Sequence, residues 1–223
     1  FKRIIEIDEK NMLAVVEPGV ISSDFQQALR KHNLFFPPDP SSTVESTLGG
    51  NVAENAGYTR AVKYGVTRDY VLGLEAVLPD GEVIEVGRKT VKNVTGYDMT
   101  ALLVGSEGTL AIITKIIFKL LPRPKIRKTI ILYLNNLVHA ADLVVEVFKA
   151  GIIPCAMELV DNMTINAIAD YINTPLKREA DALVLIEVDS HHEGAASDEA
   201  QEILSLCSSF DGIVEARLAA TEE

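Results

Sequence analysis

The sequence has no tryptophan, only two cysteines and no long apolar run, and each shortage narrows the interpretation. Cys155 and Cys207 both lie among apolar residues, so we expect two reduced, buried thiols and not a disulfide framework. No apolar stretch approaches the length of a membrane span. The first residues also lack the pattern of a signal peptide. We therefore expect a cytoplasmic protein.

Positive charge is also scarce, because 21 Lys and Arg residues face 32 Asp and Glu residues, for a net charge of −11. Nucleic acid is not expected as the main partner, since neutralising its phosphates requires a basic face. An anionic cofactor remains compatible, because a few local backbone N–H groups and cations can bind a pyrophosphate inside an acidic protein. The composition, 48% hydrophobic and 24% charged, is typical of a folded protein with a core.

The first half of the chain mixes strand and helix patterns. Residues 4–16 predict a hairpin with a polar turn. Ser22, Ser23 and Asp24 form an N-cap cluster before a helix that ends near His32. Further on, the pattern predicts strands at 71–78, 82–86 and 108–121 and a short helix at 98–104.

Pro122 and Pro124 interrupt the last of these strands, and we place a domain boundary there. The predicted domains are residues 1–124 and 125–223. In the second domain, strands at 129–134, 153–160 and 182–188 alternate with helices at 138–149, 162–172 and 195–208. This alternation predicts an α+β sandwich with its helices on one face of a sheet.

Residues 37–57, which we call the first glycine segment, are rich in Pro, Ser, Thr, Gly and Asn. Glycines let a backbone approach a ligand closely, hydroxyls donate to phosphate oxygens, and free N–H groups at a turn bind anions. The small residues Ala53, Ala56 and Gly57 leave room for a flat ring. The segment lacks the periodicity of a helix or strand. On composition alone, an ordinary surface loop is the stronger interpretation.

Residues 104–114 form the second glycine segment. Gly105 and Gly108 precede a strong strand pattern, so a tight turn would present N–H groups just before the chain enters a sheet. A helix-to-strand turn with a glycine C-cap explains the same pattern equally well.

The order and the residue sequences of these two segments resemble those of the FAD-linked oxidase family. The FAD domain of that family is of the type also found in vanillyl-alcohol oxidase and p-cresol methylhydroxylase. Residues 63–67, 71–81 and 95–100 carry the same resemblance, which is specific from residue 1 to about 124 and weaker over 151–161. Within the family, the chain is most similar to the flavin-binding subunits of glycolate oxidases and to FAD-linked D-lactate dehydrogenases. The resemblance implies an α+β fold: the second lobe of the FAD-binding domain, followed by part of a ferredoxin-like substrate domain.

The resemblance also implies the residues that contact FAD. Residues 40–46 would line the pyrophosphate and flavin, residues 53–57 would lie beside the isoalloxazine edge, and residues 107–113 would hold the adenosine end or the ribityl chain. The expected contacts are Pro40, Ser41, Ser42, Thr43, Ser46, Thr47, Gly49, Gly50, Asn51, Ala53, Asn55, Ala56, Gly57, Gly105, Glu107, Gly108, Thr109, Ile112 and Ile113.

Two residues depart from the family pattern. Ala111 stands where the family usually has Gly, and it adds only a methyl group. Tyr58 stands where a second Gly is common. For Tyr58 we favour core packing over stacking near the flavin, because a buried Tyr usually serves the core.

The implied activity is oxidation of a small 2-hydroxy acid, glycolate or D-lactate, to the 2-keto acid by hydride transfer to flavin. Partner subunits or an iron–sulfur electron acceptor are expected, as is a peripheral association with the inner membrane through such subunits. Two alternatives stay open. One is other flavin chemistry on the same domain, with a larger 2-hydroxy acid or in ether-lipid synthesis. The other is a non-catalytic binding domain that holds no flavin.

Two family patterns are not found in this sequence: a glycine-rich phosphate loop before the first strand, and a His-containing motif that binds metal or takes the substrate's proton. We therefore expect a fragment with no catalytic residue, no metal ligand and little or no turnover by itself. His191 and His192 lie in a polar stretch that we interpret as solvated. For Arg60, Lys63 and Arg68, a solvated surface is favoured over steering of a carboxylate.

Overall fold

The computed structural model describes residues 1–172 and 175–219, in two compact units, Phe1–Arg123 and Pro124–Glu223. The first unit contains, in chain order, β1 (Ile4–Asp8), β2 (Leu13–Val16), α1 (Ser22–Arg30), β3 (Leu34–Phe35), α2 (Leu48–Glu54), α3 (Ala61–Tyr64), a 3₁₀ turn (Thr67–Tyr70), β4 (Val71–Val77), β5 (Val83–Gly87), α4 (Met99–Leu103), β6 (Ile112–Lys119) and β7 (Leu121–Pro122). Five strands form an antiparallel sheet in the order β1-β2-β6-β4-β5, and β3 pairs separately with β7.

The core of the first unit is one buried cluster to which α1, α2 and the five-stranded sheet all contribute. Phe25 and Leu29 are fully buried one turn apart on α1, which is the spacing that puts two side chains on one helix face. The ring centroids of Phe25 and Phe36 lie 5.6 Å apart and those of Phe36 and Phe118 lie 4.4 Å apart. Aromatic pairs at such separations add to the energy of burial itself.

Three local predictions for the first unit differ from the structure. No side chain caps the start of α1, where Ile21 is the N-cap residue, so the predicted N-cap cluster is wrong. The last long strand begins at Ile112 and not at residue 108, because Gly105, Glu107 and Gly108 have positive φ and form a turn. The third difference is α2, which lies in a segment predicted to be a loop.

The second unit contains β8 (Ile126–Leu134), α5 (Leu137–Lys149), β9 (Ala156–Asp161), α6 (Asn162–Ile172), β10 (Ala182–Ser190), α7 (Glu193–Ser208) and β11 (Ile213–Leu218). Its sheet is antiparallel in the order β11-β8-β10-β9. Numbered within this unit, the order is 4-1-3-2, the arrangement of a ferredoxin-like fold. The predicted α+β, ferredoxin-like class is confirmed.

The helices of the second unit lie on both faces of its sheet, which corrects the one-face prediction. Helices α5 and α7 pack on the face that carries Leu132 and Leu134. Helix α6 packs on the other face, where Ile165 meets Tyr133. Because successive side chains of a strand point to opposite faces, residues 132 and 133 necessarily serve different cores.

Both cysteines are free and buried, as predicted. Among the described residues, no helix has the length and apolar character needed to cross a bilayer.

Candidate functional site

Helix α2 begins after the side-chain cap of Thr47 and ends at the left-handed backbone of Asn55, both in the first glycine segment. The hydroxyl of Thr47 accepts a hydrogen bond from the Gly50 amide at 3.1 Å, which caps the start of the helix. Asn55 ends it in the left-handed conformation, with φ of 51°. Leu48 and Val52 are fully buried and anchor its inner face in the core.

The first amides of α2 donate to residues near the start of α1. Leu48 N–H donates to the Val20 carbonyl at 2.9 Å, and Gly49 N–H donates to the Pro18 carbonyl at 2.8 Å. A Cβ added to Gly49 would lie only 2.4 Å from the Cβ of Pro18. Gly49 is therefore required for packing within the unit, and the donors at this helix end are already engaged.

Two backbone hydrogen bonds join the two glycine segments. Gly105 N–H donates to the Val52 carbonyl at 3.0 Å, and Glu107 N–H donates to the Ala53 carbonyl at 2.9 Å. Gly105, Glu107 and Gly108 take φ values of 81°, 54° and 70°, which curve the chain over the end of α2. The segments predicted to share a ligand thus lie side by side.

Polar side chains add to the backbone hydrogen bonds that hold the two glycine segments together. The Asn55 side-chain oxygen accepts from the Arg68 amide at 2.8 Å, and the Arg68 guanidinium donates to the Val104 carbonyl at 3.2 Å. The Thr67 hydroxyl donates to the Ala56 carbonyl at 2.8 Å. Arg68 is exposed, as expected for a solvated surface, but it also ties the second glycine segment to the first.

The predicted contacts differ in their exposure. Exposed are Ser41, Ser42, Gly50, Gly57, Gly105, Glu107, Gly108, Thr109 and Ile112. Partly buried are Pro40, Thr43, Ser46, Thr47, Gly49, Ala53, Asn55, Ala56 and Ile113. Asn51 alone in this set is buried, and its side-chain amide donates to the Ser22 hydroxyl at 2.9 Å, toward the interior.

The buried hydroxyl of Thr43 in this region has no hydrogen-bond partner among the described residues. A buried polar group left unpaired costs about 1–3 kcal/mol, so such groups call for an explanation. Burial raises the pKa of the neighbouring Tyr58 above its ordinary value, and the Tyr58 hydroxyl interacts with that of Tyr70. Hydroxyl donors beside glycine turns suit a ligand with phosphate and ring-carbonyl oxygens, and FAD fits this donor set.

The histidines show no convergence on this region. His32 contacts the Glu9 carboxylate, and His191 and His192 are exposed. Within residues 1–172 and 175–219, no three His, Cys, Asp or Glu side chains come together in a way that could hold a metal ion. A cavity of about 570 Å³ in the second unit is lined by parts of α5 and α7, including His139 and Lys149, and by none of the predicted contacts.

Sequence reasoning missed Ser22 and the pairing of Asn55 with Arg68. Ser22 was interpreted as part of a helix cap, and its hydroxyl instead reaches a residue 24 positions along the chain. Asn55 carried one usable signal, because Asn tolerates the left-handed conformation better than most residues and often ends a helix.

Two family models match the chain. Residues 1–87 match a model described as FAD binding domain, and residues 123–223 match one described as FAD linked oxidases, C-terminal domain. The glycolate oxidase subunit GlcD of Bacillus subtilis is 47% identical over 221 residues, which are 99% of this chain and 47% of that protein. A D-lactate dehydrogenase of Archaeoglobus fulgidus is 38% identical over 211 residues, 94% of this chain and 46% of that protein.

A solved structure of p-cresol methylhydroxylase has the same fold, with a TM-score of 0.78 at 15% identity, over 97% of this chain and 47% of that one. The chain thus spans about half the length of the curated relatives it matches.

Proposed function

We propose that this chain, which belongs to the FAD-linked oxidases, binds FAD with its first unit along the joined glycine segments. The protein oxidises glycolate or D-lactate to the 2-keto acid. The observation that carries the proposal is the pair of backbone hydrogen bonds from Gly105 and Glu107 to the end of α2. They form one surface from two segments that the sequence separates by some fifty residues.

The exposed hydroxyls of Ser41 and Ser42 are suited to donate to the pyrophosphate oxygens. Thr43, whose buried hydroxyl has no partner among the described residues, would complete this group. The amides of Gly49 and Gly50 are engaged inside the unit, so these glycines would contact the cofactor through their Cα atoms and not as donors.

Gly57 offers open space, since a Cβ placed there would meet no heavy atom within 4 Å. A flat ring can approach the backbone closely at such a position. Exposed Gly108 and Thr109 would contact the remainder of the cofactor from the second glycine segment.

Bound FAD would supply the redox chemistry, a two-electron oxidation at the α-carbon of the substrate, while the residues of the two glycine segments would bind and orient it. The choice of a small 2-hydroxy acid is supported by the names of the two relatives, which are a glycolate oxidase subunit and a D-lactate dehydrogenase. The proposal extends to partner subunits that accept the electrons, because the Bacillus relative is named a subunit. It includes the expected cytoplasmic location, with any membrane association made through such subunits.

The test is anaerobic reduction of bound flavin in the natural full-length protein that carries this chain. We expect one FAD per chain and bleaching of the flavin absorbance by glycolate or D-lactate, with L-lactate as the control of stereochemistry. A protein that retains FAD but is bleached by neither acid would contradict the proposed substrate, and one that retains no FAD would contradict the proposed cofactor.

A further inference from the structure

We infer that Ser22, which lies outside both glycine segments, is a positioning residue of the FAD site, acting through Ser46. The inference rests on the proposed function, because it concerns how the first glycine segment is held for FAD.

Ser22 is attached to Ser46 by backbone and side chain together. Its amide donates to the Ser46 carbonyl at 3.0 Å, its hydroxyl lies 3.1 Å from the same carbonyl, and the two hydroxyl oxygens are 3.0 Å apart. A residue that served only its own helix would direct its hydroxyl to an amide of the first turn. No side chain caps α1, so the hydroxyl of Ser22 is committed to the neighbouring segment.

The contact is part of a longer alignment between residues 18–23 and 43–49. Ser23 N–H donates to the Thr43 carbonyl at 2.9 Å, Ile21 and Thr47 form an antiparallel bridge, and the Val20 carbonyl accepts from Leu48. This alignment fixes the path of the backbone that carries the candidate pyrophosphate contacts. Ser22 is its buried centre, with 2% of its surface exposed.

The hydroxyl proton of Ser22 links this centre to the surface. The oxygen of Ser22 accepts from the Asn51 amide at 2.9 Å, and its single proton can then go to either oxygen of Ser46. When it goes to the Ser46 hydroxyl oxygen, the proton of Ser46 points away from Ser22 and is left to donate outward. Asn51 is 5% exposed whereas Ser46 is partly exposed, so the chain of hydrogen bonds runs from the interior to the edge of the segment.

The test is the dissociation constant for FAD of Ser22→Ala in the full-length protein, from quenching of flavin fluorescence. We expect binding about tenfold weaker, which corresponds to about 1.4 kcal/mol. The control is Asn11→Ala, which lies in the first unit outside both glycine segments and removes a side-chain hydrogen bond to the Asp8 carboxylate at 2.7 Å. The control is expected to lower the melting temperature without changing FAD affinity.

A double-mutant cycle separates positioning from general destabilisation. If Ser22 acts through Ser46, the Ser22→Ala and Ser46→Ala pair binds FAD about as weakly as Ser46→Ala alone. Ser22→Cys keeps the size of the side chain with a weaker donor, and it is expected to give an intermediate affinity should Ser22→Ala fold poorly.

Unchanged affinity in both Ser22 variants, or additive losses in the cycle, would overturn the inference while leaving the proposed function intact. A wild-type protein that retains no FAD would overturn both.

Discussion

At the scale of single residues, two glycines of the same segment have different reasons to be glycine. Gly49 is pressed against Pro18, where an added Cβ would be 2.4 Å from another carbon. Gly57 has open space around its Cβ position. The fold therefore explains Gly49 without any ligand, whereas nothing within the unit explains Gly57. We therefore expect Gly49 to be needed for stability and Gly57 to be needed for FAD binding.

We predict opposite outcomes for alanine at these two positions. Gly49→Ala should destabilise the protein by about 1–3 kcal/mol, because overpacking forces the neighbouring backbone to move. Gly57→Ala should leave the free energy of unfolding within roughly 0.5 kcal/mol of wild type and weaken FAD binding about tenfold. Urea unfolding and FAD titration measure the two effects. Gly194→Ala on α7, where space is also open, is the control, with FAD affinity unchanged.

A second residue-scale feature is the ion pair that supports the chain just before Pro18. The Glu17 carboxylate is buried and accepts from the Arg3 amide at 2.8 Å and from the Arg3 guanidinium at 2.9 and 2.7 Å. These hydrogen bonds from Arg3 lower the pKa of Glu17 to about 2. Since the folded-state pKa lies below the ordinary value of 4.5, the stabilisation is complete above pH 4.5 and is lost as the pH falls toward 2.

We predict that Glu17→Gln makes the free energy of unfolding less dependent on pH below pH 4.5. The variant should be less stable than wild type at pH 6, and the difference should shrink between pH 4.5 and 2, as wild type alone loses this contribution. Urea midpoints at pH 6, 4 and 3 measure it, with the exposed Glu82→Gln as control. A constant difference across this range would count against the ion pair as the cause.

At the scale of elements, the sequence predicts long periodic segments well and short capped ones poorly. Helix α6 was predicted at the bounds that the structure shows, Asn162–Ile172, because its apolar residues recur with helical spacing. Helix α2 was missed, because seven residues with two glycines carry little periodicity and its stability comes from packing against Val20 and Pro18. Contacts between residues 18–23 and 43–49 are not readable from local pattern.

The same limit applies to the candidate site, where contacts between residues far apart in the sequence could not be predicted from local pattern. The family resemblance implies that both glycine segments contact FAD but not that they contact each other, and the backbone bonds that join them lie at Gly105 and Glu107. The Gly49 amide is engaged by Pro18, 31 positions away, and the Ser22 hydroxyl contacts Ser46, 24 positions away. Tertiary contacts of this kind override any local interpretation of a Ser or a Gly.

We predict that α2 depends on its cap. Thr47→Ala removes the acceptor for the Gly50 amide and should lower the free energy of unfolding by about 1 kcal/mol, whereas Thr47→Ser should retain most of it. Chemical denaturation of the two variants measures the difference. Equal stability of Thr47→Ala and wild type would mean that packing alone holds the helix.

At the scale of the whole molecule, the two units have separate cores and match different parts of one family. All predicted cofactor contacts lie in the first unit, Phe1–Arg123. The assignment of residues 1–124 to FAD and 125–223 to a substrate domain remains a proposal. Residues 173–174 and 220–223 of the second range lie outside the described part of the chain.

Hydrogen–deuterium exchange with and without FAD shows whether the cofactor lies along both glycine segments. We expect slower exchange in peptides that cover residues 41–57 and in peptides that cover residues 105–113, because ligand contact stabilises the closed state of both segments. Bound FAD that protects neither segment, or protects only the second unit, would contradict this expectation.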